Sequence, residues 1–213
     1  MVDKSDIAGL IKLYFPQLTK KQYEQYTVLS EMIKFWNSRI NLISRKDIHN
    51  IGLHHILHSL AVAKIIRFSS SSYILDAGTG GGFPGLPLAI MFPDVNLKLT
   101  DSTGKKIKVV KSLIKEVGLM NTKAFQVRIE EERGKFDFVV CRAVTKIPEI
   151  VRLIKKNISA AQKNTLANGL LYLKGGDTGM ETEQFSGKAK VFDISNFFKQ
   201  EFFATKKVIY IPL

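Results

Sequence analysis

A chain of 213 residues can bury one medium-sized core and carry an extension beside it. Apolar residues make up 45% of it, which argues against wholesale disorder, and no apolar run approaches the length of a membrane span. Lys and Arg number 32 against 19 Asp and Glu, a net charge of +13, and a surplus of that size points to a polyanion partner.

The first residues, with Asp3, Lys4 and Asp6 early, lack the basic-then-apolar layout of a signal peptide. Residues 1–68 read as helical, an extension packed on the core. Tyr23, Tyr26, Leu29, Ile33 and Trp36 recur at spacings of three and four, an apolar stripe that reads as core rather than as a set of base-stacking rings. A second helix is expected from Ile51 to Phe68. Ser69 to Ser72 is a short polar hinge.

From residue 69 to 213 strands and helices alternate, forming a single unit. Strands are expected at Tyr73–Asp76, Asn96–Asp101, Thr122–Arg128, Phe136–Arg142, Leu170–Lys174, Lys188–Asp193 and Lys207–Pro212. Helices are expected at Pro84–Met91, Lys105–Val117, Ile147–Ile158 and around Asn196–Glu201. The pattern implies an α/β, Rossmann-like, doubly wound sheet of seven strands, mostly parallel, with an antiparallel edge hairpin. Ligands of such sheets sit over the carboxyl ends of the strands. That places Asp76, Asp101, Glu130 and Arg142 around one crevice.

The densest signal is Asp76-Ala77-Gly78-Thr79-Gly80-Gly81-Gly82, directly after the apolar run Tyr73-Ile74-Leu75. Strand, glycine turn and helix start together form a nucleotide-type cofactor site, and the free N–H groups at the helix start favour an anion. Two registers fit. Gly80, Gly82 and Gly85 match the dinucleotide pattern G-x-G-x-x-G; Asp76, Gly78 and Gly80 match the D-x-G-x-G of S-adenosylmethionine-dependent methyltransferases. An aspartate at the loop would repel a pyrophosphate, whereas it can face a sulfonium or an ammonium. Asp76 therefore tilts the choice toward S-adenosyl-L-methionine. Asp101, at the end of the next strand, can accept hydrogen bonds from both ribose hydroxyls, or can cap the helix that follows.

Other residues stay open. Arg142 can bind the cofactor carboxylate or an RNA phosphate. Cys141, the single cysteine, reads as a small strand-end side chain rather than a nucleophile, and it excludes an intrachain disulfide, which suits a cytoplasmic location. His54 and His58 share a helix face, but no second Cys/His cluster would complete a metal site.

From about Trp36 to Lys174 the chain resembles the glucose-inhibited-division-B family of bacterial small-subunit rRNA methyltransferases. The residues that carry the resemblance are Trp36-Asn37 with Asn41-Leu42, His54-His55-Ile56 with Ser59-Leu60, and the run from Asp76 through Gly82-Phe83-Pro84-Gly85-Leu86-Pro87-Leu88. Asp101-Ser102, Arg128-Ile129-Glu130, Arg142-Ala143 and Lys174-Gly175 extend it. The Gly-Phe-Pro-Gly-x-Pro segment is its most specific part. The chain departs from the pattern at His58, at Ala77 and over Thr103-Gly104-Lys105-Lys106.

The resemblance implies methylation of guanine N7 in the decoding-region loop of 16S rRNA, on naked RNA or a small-subunit particle, with no membrane and no obligate protein partner. It implies that Gly78 and Phe83 line the cofactor, that Ile129 and Glu130 flank its adenine and that Arg142 closes the site as the catalytic residue. Lys105, Lys106, Lys174, Asn41 and His55 are expected to meet RNA. Guanine N7 carries a lone pair and no proton, so proximity and electrostatic support suffice without a general base. The Asn/Asp-Pro-Pro-Tyr/Phe motif of amino-group methyltransferases is accordingly missing after the fourth strand, where Val140-Cys141-Arg142-Ala143 stands. The alternatives are a methyltransferase acting on another RNA base, an NAD-linked oxidoreductase, and a non-catalytic RNA-binding module.

Overall fold

Near-continuous apolar runs make the central strands, as expected where a parallel sheet is covered on both faces. In the computed structural model, which describes residues 6–213, β1 (Tyr73–Ala77) pairs in parallel with β2 (Asn96–Asp101) and with β4 (Phe138–Arg142). β3 (Thr122–Gln126) lies outside β2, and β5 (Gly169–Gly175) lies beside β4, both parallel. The sheet has seven strands in the order β3-β2-β1-β4-β5-β7-β6. β7 (Lys206–Pro212) is inserted antiparallel between β5 and β6 (Lys190–Asp193). The expected hairpin is therefore present, with its second strand as the inner one.

Side chains alternate across this sheet with the period of two that the pleat imposes. Ile74, Val140 and Leu171 point to one core, shared with α4 (Gly85–Met91), α5 (Gly104–Val117) and the N-terminal helices α1 (Ile7–Tyr14) and α2 (Lys20–Asn37). Leu75, Val139, Cys141, Leu170 and Tyr172 point to the other, closed by α6 (Ile147–Ile154) through Ile147, Ile150, Val151 and Ile154. Each such isoleucine is worth about 1.5–3 kcal/mol when fully buried.

α2 begins with a capping box, Thr19 and Gln22 satisfying each other's backbone N–H groups. Its stripe is core: Tyr26, Leu29 and Ile33 are fully buried, and the Tyr26 hydroxyl donates to the Pro87 carbonyl at 3.1 Å. The first five residues of the expected extension, Asp3 and Lys4 among them, lie outside the described residues.

Two expectations are corrected. The helix expected from Ile51 to Phe68 is a composite: a π-turn over Ile51–Leu57, one α-turn α3 (His58–Leu60), and a 3-10 turn ending at Lys64. The helix expected around Asn196–Glu201 is replaced by two 3-10 turns, Ile194–Asn196 and Glu201–Phe203, flanking buried Phe198. Packing of Phe198 against Phe203 and Phe15 overrides the weak helical pattern there.

Candidate active site

β1, β2 and β4 all end at one edge of the sheet, and a cavity of about 540 Å³ lies over that edge. Such a volume is in the range of small-molecule and cofactor sites. Gly78, Gly80, Phe83, Asp101, Ile129, Glu130 and Arg142 all line it, together with Lys106.

The loop after β1 turns through left-handed backbone at Gly78 (φ 70°), Gly80 (φ 58°) and Gly82 (φ 96°), a conformation that costs glycine little. A side chain at Gly78 would meet the Val144 methyl at 2.8 Å; at Gly80 a Cβ would project into open space. The loop is pinned to β2. The Thr79 N–H donates to the Thr100 carbonyl at 2.8 Å, and the Gly80 N–H donates to one Asp101 oxygen at 2.9 Å. The other Asp101 oxygen accepts from the Thr103 N–H at 2.8 Å at the start of α5. Asp101 thus ties the glycine loop to the turn that leads into α5 while facing the cavity; it is not the helix cap, a position that Thr103 holds. A carboxylate has about four lone-pair positions, so capacity for further acceptor bonds remains.

Asp76 stands elsewhere than the sequence suggests. It is wholly buried beneath the loop and does not line the cavity. One oxygen accepts from the Thr79 hydroxyl and from the Gly85 N–H, the latter at 2.8 Å; the other has no hydrogen-bond partner. The acceptor at the start of α4 is therefore the chain's own aspartate side chain rather than a ligand. Burial pushes the Asp76 pKa up to about 7, against the opposing pull of the Thr79 and Gly85 hydrogen bonds and of Arg142. Direct repulsion of a diphosphate by Asp76 is not what shapes this pocket. The acidic groups on its wall are Asp101 and Glu130.

Arg142 ends β4 and turns back under Phe83. Its guanidinium lies 5.0 Å from the Phe83 ring centroid and donates to the His54 carbonyl at 3.3 Å and to His55 Nδ1 at 2.9 Å. The π-turn brings both histidine groups to the same arginine; π-turns recur at functional sites. His55, expected to face RNA, is buried behind the site against Phe83 and Arg142. Burial, then the neighbouring Arg142 charge, lowers its pKa to about 3. It is a neutral acceptor whose proton sits on Nε2.

The other residues expected at RNA separate. Lys106 lines the cavity and Lys105 beside it is exposed. Asn41 is exposed, next to Leu42, which packs over Gly81. Lys174 pairs with Glu181, whose second oxygen accepts the Ile147 N–H at the start of α6 at 2.8 Å. Cys141 is fully buried, and burial raises its thiol well above the usual range, so it offers no thiolate. Among the described residues no group of three or more His, Cys, Asp or Glu could hold a metal ion.

Several wall residues escape sequence reasoning. Ala143 adopts φ 53°, and Val144 after it projects over Gly78. Their loop is held by Tyr172, whose hydroxyl accepts the Val144 N–H at 3.2 Å and donates to the Thr145 carbonyl at 2.7 Å. Leu42 comes from the N-terminal segment, set in place by the Asn37 side-chain oxygen, which accepts the Leu42 and Ile43 N–H groups at 2.8 and 3.0 Å. The Asn37-to-Leu42 spacing was the available signal for that hold.

The donor set fits S-adenosylmethionine. Open space over Gly80, the Asp101 carboxylate at the end of β2 and the apolar Ile129 on the wall suit a backbone-held tail, a ribose and a ring.

A model of the family described as rRNA small subunit methyltransferase G matches residues 21–207. The chain is 48% identical over 204 residues to the ribosomal RNA small subunit methyltransferase G of Bacteroides fragilis, covering 96% of this chain and 99% of that one. It is 50% identical over 200 residues to the protein of the same name from Flavobacterium psychrophilum, covering 94% and 95%. Among solved structures, precorrin-6y C5,15-methyltransferase of Geobacter metallireducens aligns with a TM-score of 0.54 at 10% identity, over 81% of this chain and 90% of that one. An S-adenosylmethionine-dependent methyltransferase of Aquifex aeolicus aligns with 0.53 at 15%, over 86% and 98%. These last two show the fold. The choice between methyltransferase and NAD-linked oxidoreductase falls to the first: the chain belongs to the rRNA small subunit methyltransferase G family of S-adenosylmethionine-dependent enzymes.

Proposed function

We propose that the cavity over β1, β2 and β4 is where the chain methylates N7 of a guanine in the decoding-region loop of 16S rRNA, presented as RNA or as a small-subunit particle. The observation that carries this reading is the pairing of a glycine loop tied to Asp101 with a strand end, Arg142-Ala143-Val144, that offers no general base and no amide-orienting motif. When bound, S-adenosylmethionine supplies a sulfonium methyl group; the N7 lone pair forms the new bond, the sulfur keeps the old bond's electrons, and no proton has to leave.

The chain's own residues then have few tasks. Gly78 and Gly80 keep the loop low enough for a close approach. Asp101 accepts hydrogen bonds at the ribose, and Ile129 and Glu130 flank the adenine. Arg142, fixed by His55 and Phe83, directs positive charge at the site's closed end. Alignment and preorganised charge of this kind are the main sources of rate for a reaction without proton transfer. In this reading Lys105 and Lys106 meet phosphate and Asn41 meets RNA beside Leu42, and Lys174 does so on leaving its pair with Glu181. The described part of residues 1–68 acts as an extension on a methyltransferase unit over 69–213. No helix among the described residues is long and apolar enough to cross a membrane; a cytoplasmic site of action belongs to this same proposal.

The test is methyl transfer from labelled S-adenosylmethionine to rRNA from cells lacking the gene, followed by N7-specific cleavage. Label at a single guanine of 16S rRNA is expected. Label on another base, or none, would defeat the reading.

A further inference from the structure

The end of α2 carries a feature that the cofactor site does not use. Phe35 is 47% exposed, on a helix whose other large apolar side chains are mostly covered. Arg39, one turn on, lays its guanidinium over the Phe35 ring at 3.7 Å from the centroid. The guanidinium is held there. Its Nη1 donates to the Phe35 carbonyl at 3.0 Å and approaches the Ser38 hydroxyl at 3.4 Å. Trp36 meets Phe35 edge-on, with centroids 5.6 Å apart. The result is a fixed, flat cation with Arg39 itself exposed. An exposed arginine normally keeps its rotamer freedom, worth about 2 kcal/mol, so a guanidinium held this way is preorganised for a planar partner.

The position is set by packing. α2 runs against α4, with Tyr26 on the Pro87 carbonyl and Gln22 on the Ile90 carbonyl. The start of α2 therefore lies at the far end of α4, and its last turn arrives beside the glycine loop. Leu42, three residues after Arg39, packs on Gly81 and lines the cavity. Three residues span at most about 11 Å, so the Arg39 backbone lies within about that distance of Leu42 on the cavity wall, outside the residues that line the cavity itself. Lys34, Ser38 and Asn41, all exposed, lie near it in the chain; the acidic residue on this stretch of α2, Glu31, sits one turn before Phe35 and about two turns before Arg39.

We propose that the Arg39–Phe35 stack is a platform for an unpaired RNA base next to the one entering the cavity. Unpaired bases stack on arginine planes and aromatic rings, and Arg adds a cation for the adjoining phosphate. The idea rests on the rRNA-methyltransferase reading of the cavity. A protein partner on the assembled subunit is the competing occupant, and the net charge of +13 favours RNA over it.

The experiment compares wild type with F35A, R39A and R39K on purified 16S rRNA and on small subunits, measuring KM for RNA, kcat and S-adenosylmethionine affinity. Both side chains are exposed, and an unchanged unfolding temperature checks the fold. Alanine at either position should raise KM for naked rRNA about tenfold, as loss of one stacked base does, with kcat and cofactor affinity within twofold. R39K keeps the charge and loses the plane, so it should behave like R39A. Full rescue by R39K would reduce the site to a phosphate contact and overturn the platform. So would unchanged KM in both alanine variants, or a loss confined to assembled subunits, which would assign the surface to a protein. Absence of methyl transfer by wild type on either substrate would instead strike the function proposed for the cavity, separately from the platform.

Discussion

Arg142 Nη2 donates to His55 Nδ1 at 2.9 Å, so a side chain from the π-turn fixes the cation that lines the cavity at the end of β4. The bond also dictates the imidazole tautomer, because Nδ1 can accept only when unprotonated. The burial-lowered pKa of about 3 keeps it so at every pH where the enzyme would work.

His55→Phe should remove that acceptor while preserving much of the ring's packing on Phe83. A charged donor deprived of a partner loses on the order of 1–3 kcal/mol, so kcat should fall about tenfold. Arg142→Ala should reduce kcat about a hundredfold, with a smaller effect on unfolding temperature. The double variant should be no worse than Arg142→Ala, since the histidine acts through the arginine. Steady-state methyl-transfer kinetics on all three would show it; additive losses would refute the coupling.

Gly78→Asp should abolish binding of S-adenosylmethionine. The site demands φ 70°, and the new Cβ would press on Val144 at 2.8 Å before its carboxylate enters the cavity. Affinity for rRNA should change less than threefold, because the lysines proposed to meet phosphate are untouched. Isothermal titration with the cofactor and filter binding with RNA separate the two effects.

Gly85→Ala should destabilise the fold by about 1–3 kcal/mol, the usual cost of overpacking. A Cβ there would lie 2.6 Å from Asp76 Oδ2 and 2.8 Å from Leu99 Cγ. The helix start would have to lift from β1 and β2, loosening the Gly85 N–H bond to Asp76 as well. A denaturation midpoint unchanged from wild type would contradict this account.

Asp76 should make stability fall as pH rises through the weakly acidic range. Its folded pKa of about 7 lies above the ordinary value of 3.8, so between these values the folded chain holds a proton that the unfolded chain has released. Stability is then lost with rising pH up to about 7 and is flat beyond it. Arg142 opposes this shift, while Asp101 adds to it. Asp76→Asn can keep both acceptor bonds, from Thr79 and Gly85, with its single carbonyl oxygen. It should therefore fold, match or exceed wild-type stability at pH 7, and show a shallower slope between pH 4 and 7. Urea melts across that range measure the slope directly.

The linear order of residues decided a great deal. A short apolar run, an acid, four glycines in five positions and a proline-marked helix start could make only a strand, a tight loop and a helix, because backbone sterics leave that loop to glycine. Alternation of apolar segments gave the doubly wound sheet, and β2 was legible to the residue since Asp101 ends an apolar alternation. Those inferences needed only short-range periodicity. What a carboxylate or an imidazole faces depends on which elements pack around it. Asp76 reads like a cavity residue and is sealed under the loop by Gly85 and Thr79; His55 reads like a surface residue and is enclosed by Phe83 and Arg142, with 88 positions separating the Arg142 side chain from the His54 carbonyl that it also binds. Leu42 reaches the cavity only because α2 runs against α4. Burial and long-range partners are properties of the packed chain, and they, rather than residue type, set the charge and the role of each of these groups.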